Sequence, residues 1–385
     1  MFTPLKDLPE GKNWTLDELN DREVQLLIPV IIFISIAMVV GTVGNALVLY
    51  VNIFVLKLRN STHRYFIIFL ALADITFCMI GDPFVIGVLT HPFKFTNTQA
   101  CKSLRAFTYF NALISVLVLF VIALDRYRRI CRPYGNQFSI KRIKFIFGII
   151  VFISFIFSIP CFIMYGKNTV QTGIANITGI SCFPDDMHKD TMFPIGYSMF
   201  LYSIFIILTV SMCLFYTMVW RQVRKHKNSI ETSDVSYNIE PNTSSCTAET
   251  NSTEMISERT IPQTKRNLLD DAKTVKDHGR CINKGNKENK FKNLSDTAKT
   301  IHVSKMLFAV TVFFVLSFAP FLSLEVLTFL DKEFIETLDN TSTVFYQLFW
   351  RTFAINFMVN PFIYGVMDRR FRMECKKLVL RRLQI

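Results

Sequence analysis

The chain has 385 residues, 51% of them hydrophobic, with 38 Phe and a formal net charge of +13. A soluble protein of this size would alternate its apolar and polar residues. Here the apolar residues come in blocks of about 20, the length that crosses a bilayer, and within a block they do not alternate as the strands of a membrane barrel would.

In chain order, Met1–Glu10 is polar and lacks the apolar stretch of a cleaved signal peptide, so the first span is expected to direct insertion itself. After an N-terminal segment, 1–26, spans are expected at about 27–56, 65–90, 102–127, 145–166, 191–220, 302–328 and 342–367. Charge is absent from Val24–Leu56, Ala106–Leu124, Phe145–Gly166, Thr191–Trp220 and Met306–Leu324; the second span holds Asp74 and Asp82, the last Arg351. Between the fifth and sixth spans, 221–300 is rich in Lys, Asn, Ser, Thr and Glu and poor in aromatics. It is expected to be largely disordered, with helix only at its ends, over Arg221–Lys227 and Asp296–Lys305. In 368–385, Phe371, Leu378, Leu380 and Leu383 interleave with basic residues, as in a helix lying in the membrane interface. The fold expected is an all-α membrane protein, a seven-transmembrane helix bundle with a short C-terminal amphipathic helix.

Basic residues sort by loop. Lys57, Arg59 and Arg64, then Arg128 to Lys144, then Arg221 to Lys227, then the tail fall on one side of a sevenfold-threaded chain, and acids crowd the other. The N-terminus is therefore expected outside, at the plasma membrane, and the C-terminus in the cytoplasm. The positive charge is a topological signal that suits a lipid bilayer and calls for no nucleic acid. Of nine Cys, Cys101 and Cys182 fall on the outer side, where a disulfide is permitted. Cys375 sits where either a palmitoyl group or a free thiol is expected. Asn13, Asn176 and Asn340 open outward-facing glycosylation sequons.

A polar group in hydrocarbon needs a partner or a wet cavity, so such residues are functional candidates. Asn45, Asp74, Ser115, Asn356 and Asn360 are of this kind, with Arg126 one layer below.

Four of these residues, Asn45, Asp74, Arg126 and Asn360, lie in strings that resemble the rhodopsin-like (class A) G protein-coupled receptors, most of all the neuropeptide receptors. The strings are Gly44-Asn45, Leu70-Ala71-Leu72-Ala73-Asp74, Cys101 with Asp125-Arg126-Tyr127, Phe314 with Ser317-Phe318-Ala319-Pro320, and Asn360-Pro361-Phe362-Ile363-Tyr364. Each is short, but their order, one per expected span, is specific. The resemblance implies a receptor, not an enzyme, that answers an extracellular ligand and activates heterotrimeric G proteins, with arrestin and receptor kinases as further partners. It implies no cofactor. It gathers Asn45, Asp74, Ser115, Asn356 and Asn360 into an oxygen-rich set that suits either a sodium ion on Asp74, since hard cations take oxygen ligands, or a network of water. It makes Asp125, Arg126, Tyr127, Tyr216, Phe314, Phe318, Pro320, Asn360, Pro361 and Tyr364 the coupling and switch residues, although Tyr216 serves equally as an interfacial anchor. Departures are Phe318 where the family has Trp, Ile149 and Ile150 where span four has Trp, and Leu208 where span five has Pro. Ala298-Lys299-Thr300-Ile301 lacks the acid that restrains Arg126 in many members, so raised basal activity is expected.

For the ligand, Thr108 stands where amine receptors carry Asp, and span seven has no Lys for retinal. Asp82, Arg105, Glu325 and Arg351 make a pocket of both signs under an acidic rim, which suits an extracellular peptide, probed also by Thr108. The alternative is that these charges pair to hold spans together. A receptor of the same fold for a non-peptide ligand, and a transporter or channel, are the competing functions. The last would need inverted repeats and broken helices, and the chain has no repeat. A membrane enzyme would need His or paired acids at mid-span, and none of the six His lies there.

Overall fold

The computed structural model describes residues 12–56, 62–174, 176–189, 191–237, 298–328, 330–331 and 334–383. It is built of helices α1 (Leu16–Tyr50), α2 (Thr62–Thr76), α3 (Asp82–Thr90), α4 (Thr98–Cys131), α5 (Ile140–Met164), α6 (Met192–Tyr237), α7 (Ala298–Thr328), α8 (Phe334–Thr337), α9 (Asn340–Trp350), α10 (Ala354–Met367) and α11 (Arg369–Leu383). One antiparallel hairpin, β1 (Tyr165–Gln171) with β2 (Thr178–Pro184), interrupts them, pairing Tyr165 with Pro184 and Gln171 with Thr178. Contacts divide the chain into Met1–Val219 with Val303–Ile385, and a second unit, Trp220–His302. The second unit contains the continuation of α6 to Tyr237 and the first turns of α7. Helix therefore runs past Lys227, where composition alone ended it: elongating an existing helix needs no new nucleus. Residues 238–297, the rest of the stretch expected to be disordered, lie outside the described residues.

Six stretches are long and apolar enough to cross a membrane: Leu16–Val55, Thr62–Thr90, Thr98–Cys131, Ile140–Met164, Met192–Lys225 and Ala298–Thr328. α9 and α10 together make the seventh. α1 illustrates why water is the wrong medium. Its face of Leu27, Val30, Ile34, Ala37, Gly41, Asn45 and Val48 is buried, while Ile28, Ile32, Ile36, Val39 and Val43 on the other side are exposed. A helix that is apolar all round belongs in a large core or in lipid. The buried side of the bundle is closed by residues such as Phe66, Leu70, Leu119 and Phe314, with Phe69 stacked on Phe147 at 4.0 Å to join α2 to α5.

Local chemistry sets the ends. Thr15 and Glu18 form a reciprocal capping box at the start of α1, the Thr15 amide donating to Glu18 at 3.0 Å. Asn97, Ser139 and Asp339 accept from backbone amides at the starts of α4, α5 and α9. Asp368 does the same for α11, accepting from the Arg370 amide at 2.8 Å, and this turns the chain sharply out of α10.

Three irregularities shape the bundle. π-turns occupy Val51–Val55 and Phe77–Gly81. The second bridges α2 and α3, just before Pro83, and its extra residue rotates everything beyond it to a new face; Asp82 is thereby turned inward and buried. The seventh span breaks between α9 and α10, where amides of Arg351, Thr352, Ala354, Ile355 and Asn356 bond three residues back rather than four.

Candidate functional site

Three polar layers lie along the unit formed by Met1–Val219 and Val303–Ile385. The middle one centres on Asp74 of α2, whose side chain is 0% exposed. Its Oδ2 accepts from the Asn360 amide of α10 at 2.7 Å. Asn45 of α1 donates to Gly41 O at 3.0 Å and to Phe357 O at 2.7 Å. The second bond has a cause in sequence: Pro361 has no N–H, so the carbonyl four residues back loses its helical partner, and Asn45 supplies one. Gly44 completes the joint, since a Cβ there would come within 2.7 Å of the Pro361 ring. Ser115 donates to Asn111 O at 3.1 Å, and Asn356 is buried alongside. Asp74 Oδ1, Asn45 Oδ1, Asn360 Oδ1 and the Tyr364 hydroxyl are buried without a protein partner.

The donor set fits a monovalent hard cation: one carboxylate, amide oxygens and a hydroxyl, all oxygen. No group of three His, Cys, Asp or Glu occurs among the described residues, so a transition-metal site is not what this layer offers. Sequence reasoning missed Asn111. Its amide donates to Ala73 O at 3.0 Å and to Thr76 at 3.2 Å, tying α4 to α2 beside Asp74, and its Oδ1 is another unpartnered buried oxygen. The signal was present: Asn111 is a lone amide in an uncharged apolar run, the same mark that singled out Asn45.

Replacing Asn45 by alanine should cost about 1–3 kcal/mol, the penalty of a buried carbonyl left unpaired. Thermal unfolding in detergent reads this, and an unchanged midpoint would mean the Phe357 carbonyl has another donor.

In the layer nearest α11, Asp125 is fully buried and paired with Arg126, and also accepts from Arg129 Nε at 2.9 Å. Arg129 reaches on to Thr62 at 2.6 Å, so this cluster joins α4 to α2. Tyr127 stacks on Phe215 with ring centroids 5.3 Å apart. The Thr311 hydroxyl of α7 donates to the Tyr216 hydroxyl at 3.3 Å. Above it, Phe205, Phe314 and Phe318 pack within 6 Å of one another, and Phe318 continues to Phe353 at 6.1 Å. Pro320 follows Phe318 by two residues in α7.

The layer beneath the hairpin holds the remaining charges. Cys101 of α4 is bonded to Cys182 of β2, with Cα atoms 5.5 Å apart. Arg105 lies over the Phe84 and Tyr165 rings and donates to Cys182 O at 3.4 Å. Asp82 does not pair with it; its carboxylate is buried beside the Cys78 thiol. Arg351 bonds Gln347, at 3.0 Å to its carbonyl, and not Glu325. Glu325 faces Tyr202, and Arg105 is close enough to act on both Glu325 and Arg351. The Thr108 hydroxyl is spent on its own helix, donating to Leu104 O at 2.9 Å. At the hairpin's base, slight burial raises the Asp186 pKa, yet the Thr169 hydroxyl and amide and Lys189 bring it down to about 2.

Residues 44–364 match the 7 transmembrane receptor (rhodopsin family). The chain belongs to that family. Among curated proteins, this rhodopsin-family receptor is 30% identical over 200 residues to the human type-1 angiotensin II receptor, covering 50% of the chain and 53% of that protein. It is 28% identical over 170 residues to rat probable G-protein coupled receptor 19, covering 43% and 40%. It is 34% identical over 117 residues to the galanin-like G-protein coupled receptor npr-9 of Caenorhabditis elegans, covering 30% and 26%. The chain thus spans about half or less of the length of these relatives. The family is one of receptors, not of enzymes, and its membership makes this chain a multi-pass membrane protein, as the apolar blocks led one to expect. In this receptor the sequon residues Asn13 and Asn176 are exposed, Asn176 with a φ of 68°, and Asn340 is half-buried at the start of α9. Cys375 is half-buried on α11, which raises its thiol pKa.

Proposed function

We propose that this rhodopsin-family receptor binds an extracellular peptide and activates heterotrimeric G proteins at the plasma membrane, with its N-terminus outside. One observation carries the ligand class. Asp82, Arg105, Glu325 and Arg351 form no ion pair with one another among the described residues, although Arg105 is close enough to act on both Glu325 and Arg351. Charges of both signs held without salt-bridge partners suit a ligand that brings its own, such as a peptide terminus or basic side chain. That two of the relatives are named for peptides supports the same reading.

Screening peptides for calcium or cyclic-nucleotide responses in cells expressing the full chain tests it, and responses only to non-peptide ligands would favour the competing reading. Glu325→Lys should then lower the potency of a basic activating peptide by about 30-fold or more, since removing one partner of a desolvated charge pair costs about 2 kcal/mol or more. An acidic analogue should regain part of that loss; potencies unchanged for both would exclude Glu325 from the ligand contact.

Coupling rests on Arg126, whose fork of five donors is always charged; released from Asp125, it contacts the G protein. Asp74, with Asn45, Ser115, Asn356 and Asn360, holds a sodium ion. Asp74→Ala should abolish the dependence of agonist binding on sodium concentration. If sodium shifts the mutant as much as the native receptor, the layer holds water alone. Arrestin and receptor kinases act on the 221–300 stretch, which offers hydroxyl acceptors such as Ser233, Ser236, Ser244, Ser245 and Ser257.

A further inference from the structure

α1, α10 and α11 border an open groove of about 860 Å³ that none of the three polar layers uses. Its walls are apolar, from residues such as Val43, Leu47, Phe362, Val366 and Leu380. Its floor is the Gly44–Pro361 contact, where the missing Cβ lets α1 and α10 meet. Gly365 deepens it: a Cβ built there meets nothing within 4 Å, so α10 leaves a trough that a side chain would otherwise fill. α11 closes one end, and its position is held by Phe371, buried in the main core.

The mouth is charged on one sign only. Arg372 donates to Val366 O at 2.7 Å, which holds its guanidinium at the C-terminal end of α10 beside the groove. Lys376 lies one turn further along α11 and lines the same opening. The one acid of α11, Glu374, is taken by Lys377 at 2.7 Å, so it does not neutralise Lys376.

We propose that this groove binds an anionic glycerophospholipid, with an acyl chain along α1 and α10 and its phosphate on Lys376 and Arg372. Charge complementarity decides the occupant: an apolar trough ending in two cations matches a chain ending in an anion. A sterol, or an acyl group on Cys375, would fill the trough and leave both cations unanswered. If the N-terminus is outside, the groove opens to the leaflet where anionic lipid is concentrated.

The test uses the full-length receptor, purified in detergent and stripped of lipid, with native mass spectrometry to count bound lipid. Phosphatidylglycerol and phosphatidylcholine with the same chains are titrated separately. Detergent has no leaflets, so the outcome does not depend on the orientation or the peptide reading proposed above. One phosphatidylglycerol should bind about fivefold tighter than phosphatidylcholine, the preference expected of a basic side chain or two near a headgroup. Lys376→Glu should erase that preference. Gly365→Leu should lower binding of both lipids, and the open space around Gly365 predicts an unchanged melting temperature without lipid.

Equal binding of the two lipids by the native receptor would overturn the proposal. So would lipid counts that Gly365→Leu leaves unchanged, competition by cholesterol but not by phosphatidylglycerol, or a covalent acyl adduct on Cys375 that blocks lipid uptake. A dimer that Gly365→Leu splits would give the groove to a second copy of the chain instead.

Discussion

Asp125→Ala should destabilise the receptor by about 3–5 kcal/mol, because removing one partner of a buried ion pair leaves the other charge desolvated and uncompensated. Asp125 is fully buried and serves both Arg126, itself 3% exposed, and Arg129. Arg126 carries most of the loss, since Arg129 is 26% exposed and keeps Thr62 and water. Asp125→Asn keeps an acceptor oxygen without the charge and should fall between the two. If Arg126 is the coupling residue, the same substitution should raise ligand-free signalling, because the contact that occupies the guanidinium is gone. Thermal unfolding in detergent and a cell-based signalling assay read the two effects separately. A midpoint within error of the native receptor would mean Arg126 finds another acceptor, and the restraint attributed to Asp125 would fall.

The second large effect is expected from the bond between Cys101 and Cys182, which closes a loop of 81 residues. Chain-entropy arguments put the stabilisation from a loop of that length at about 4.5 kcal/mol. Its local consequence is as large. The bond pins β2 to α4, and β2 carries the carbonyl that Arg105 binds, while β1 offers Tyr165, whose hydroxyl lies 3.0 Å from that of Tyr109. Without the bond, the hairpin that covers the charged layer is held by such contacts and by the backbone bonds of Ile180 to Phe93 and Phe95, at 2.8 and 2.9 Å. Replacing both cysteines by serine should lower the unfolding midpoint sharply and weaken ligand binding even at temperatures where the bundle stays folded. Reductant should reproduce both effects in the native receptor and neither in the double variant. A melting curve that reductant does not move would remove the bond from the stability of this fold.

Much of this was legible in the residues. Asp74, Asn45 and Asn360 stood out because each is a polar group in a long apolar run, a local property. Asn111 carried the same mark, but it is not among the residues that the family resemblance gathers around Asp74, and it was overlooked. The hairpin was not legible: Tyr165–Gln171 and Thr178–Pro184 are short and mixed in polarity, and they pair because the bond to Cys101 and the top of α4 give them a surface to lie on. Nor was the relation among Asp82, Arg105, Glu325 and Arg351. Their spacing allowed salt bridges between spans, whereas the π-turn at Phe77–Gly81 turns Asp82 toward Cys78, and the broken turn before α10 gives Arg351 to Gln347.

By itself the amino-acid order determined that this chain is a bundle of membrane-spanning helices, because hydrophobic length and helical rise are properties of a single segment. Which of those side chains meet was decided only by the packed bundle. The Phe357 carbonyl freed by Pro361 could have taken a water or a neighbour; that it takes Asn45 follows from Gly44, which lets two residues 312 apart in sequence approach closely enough for the bond. Registers between helices have no signature in either strand of sequence, since they arise from the shapes of both faces at once.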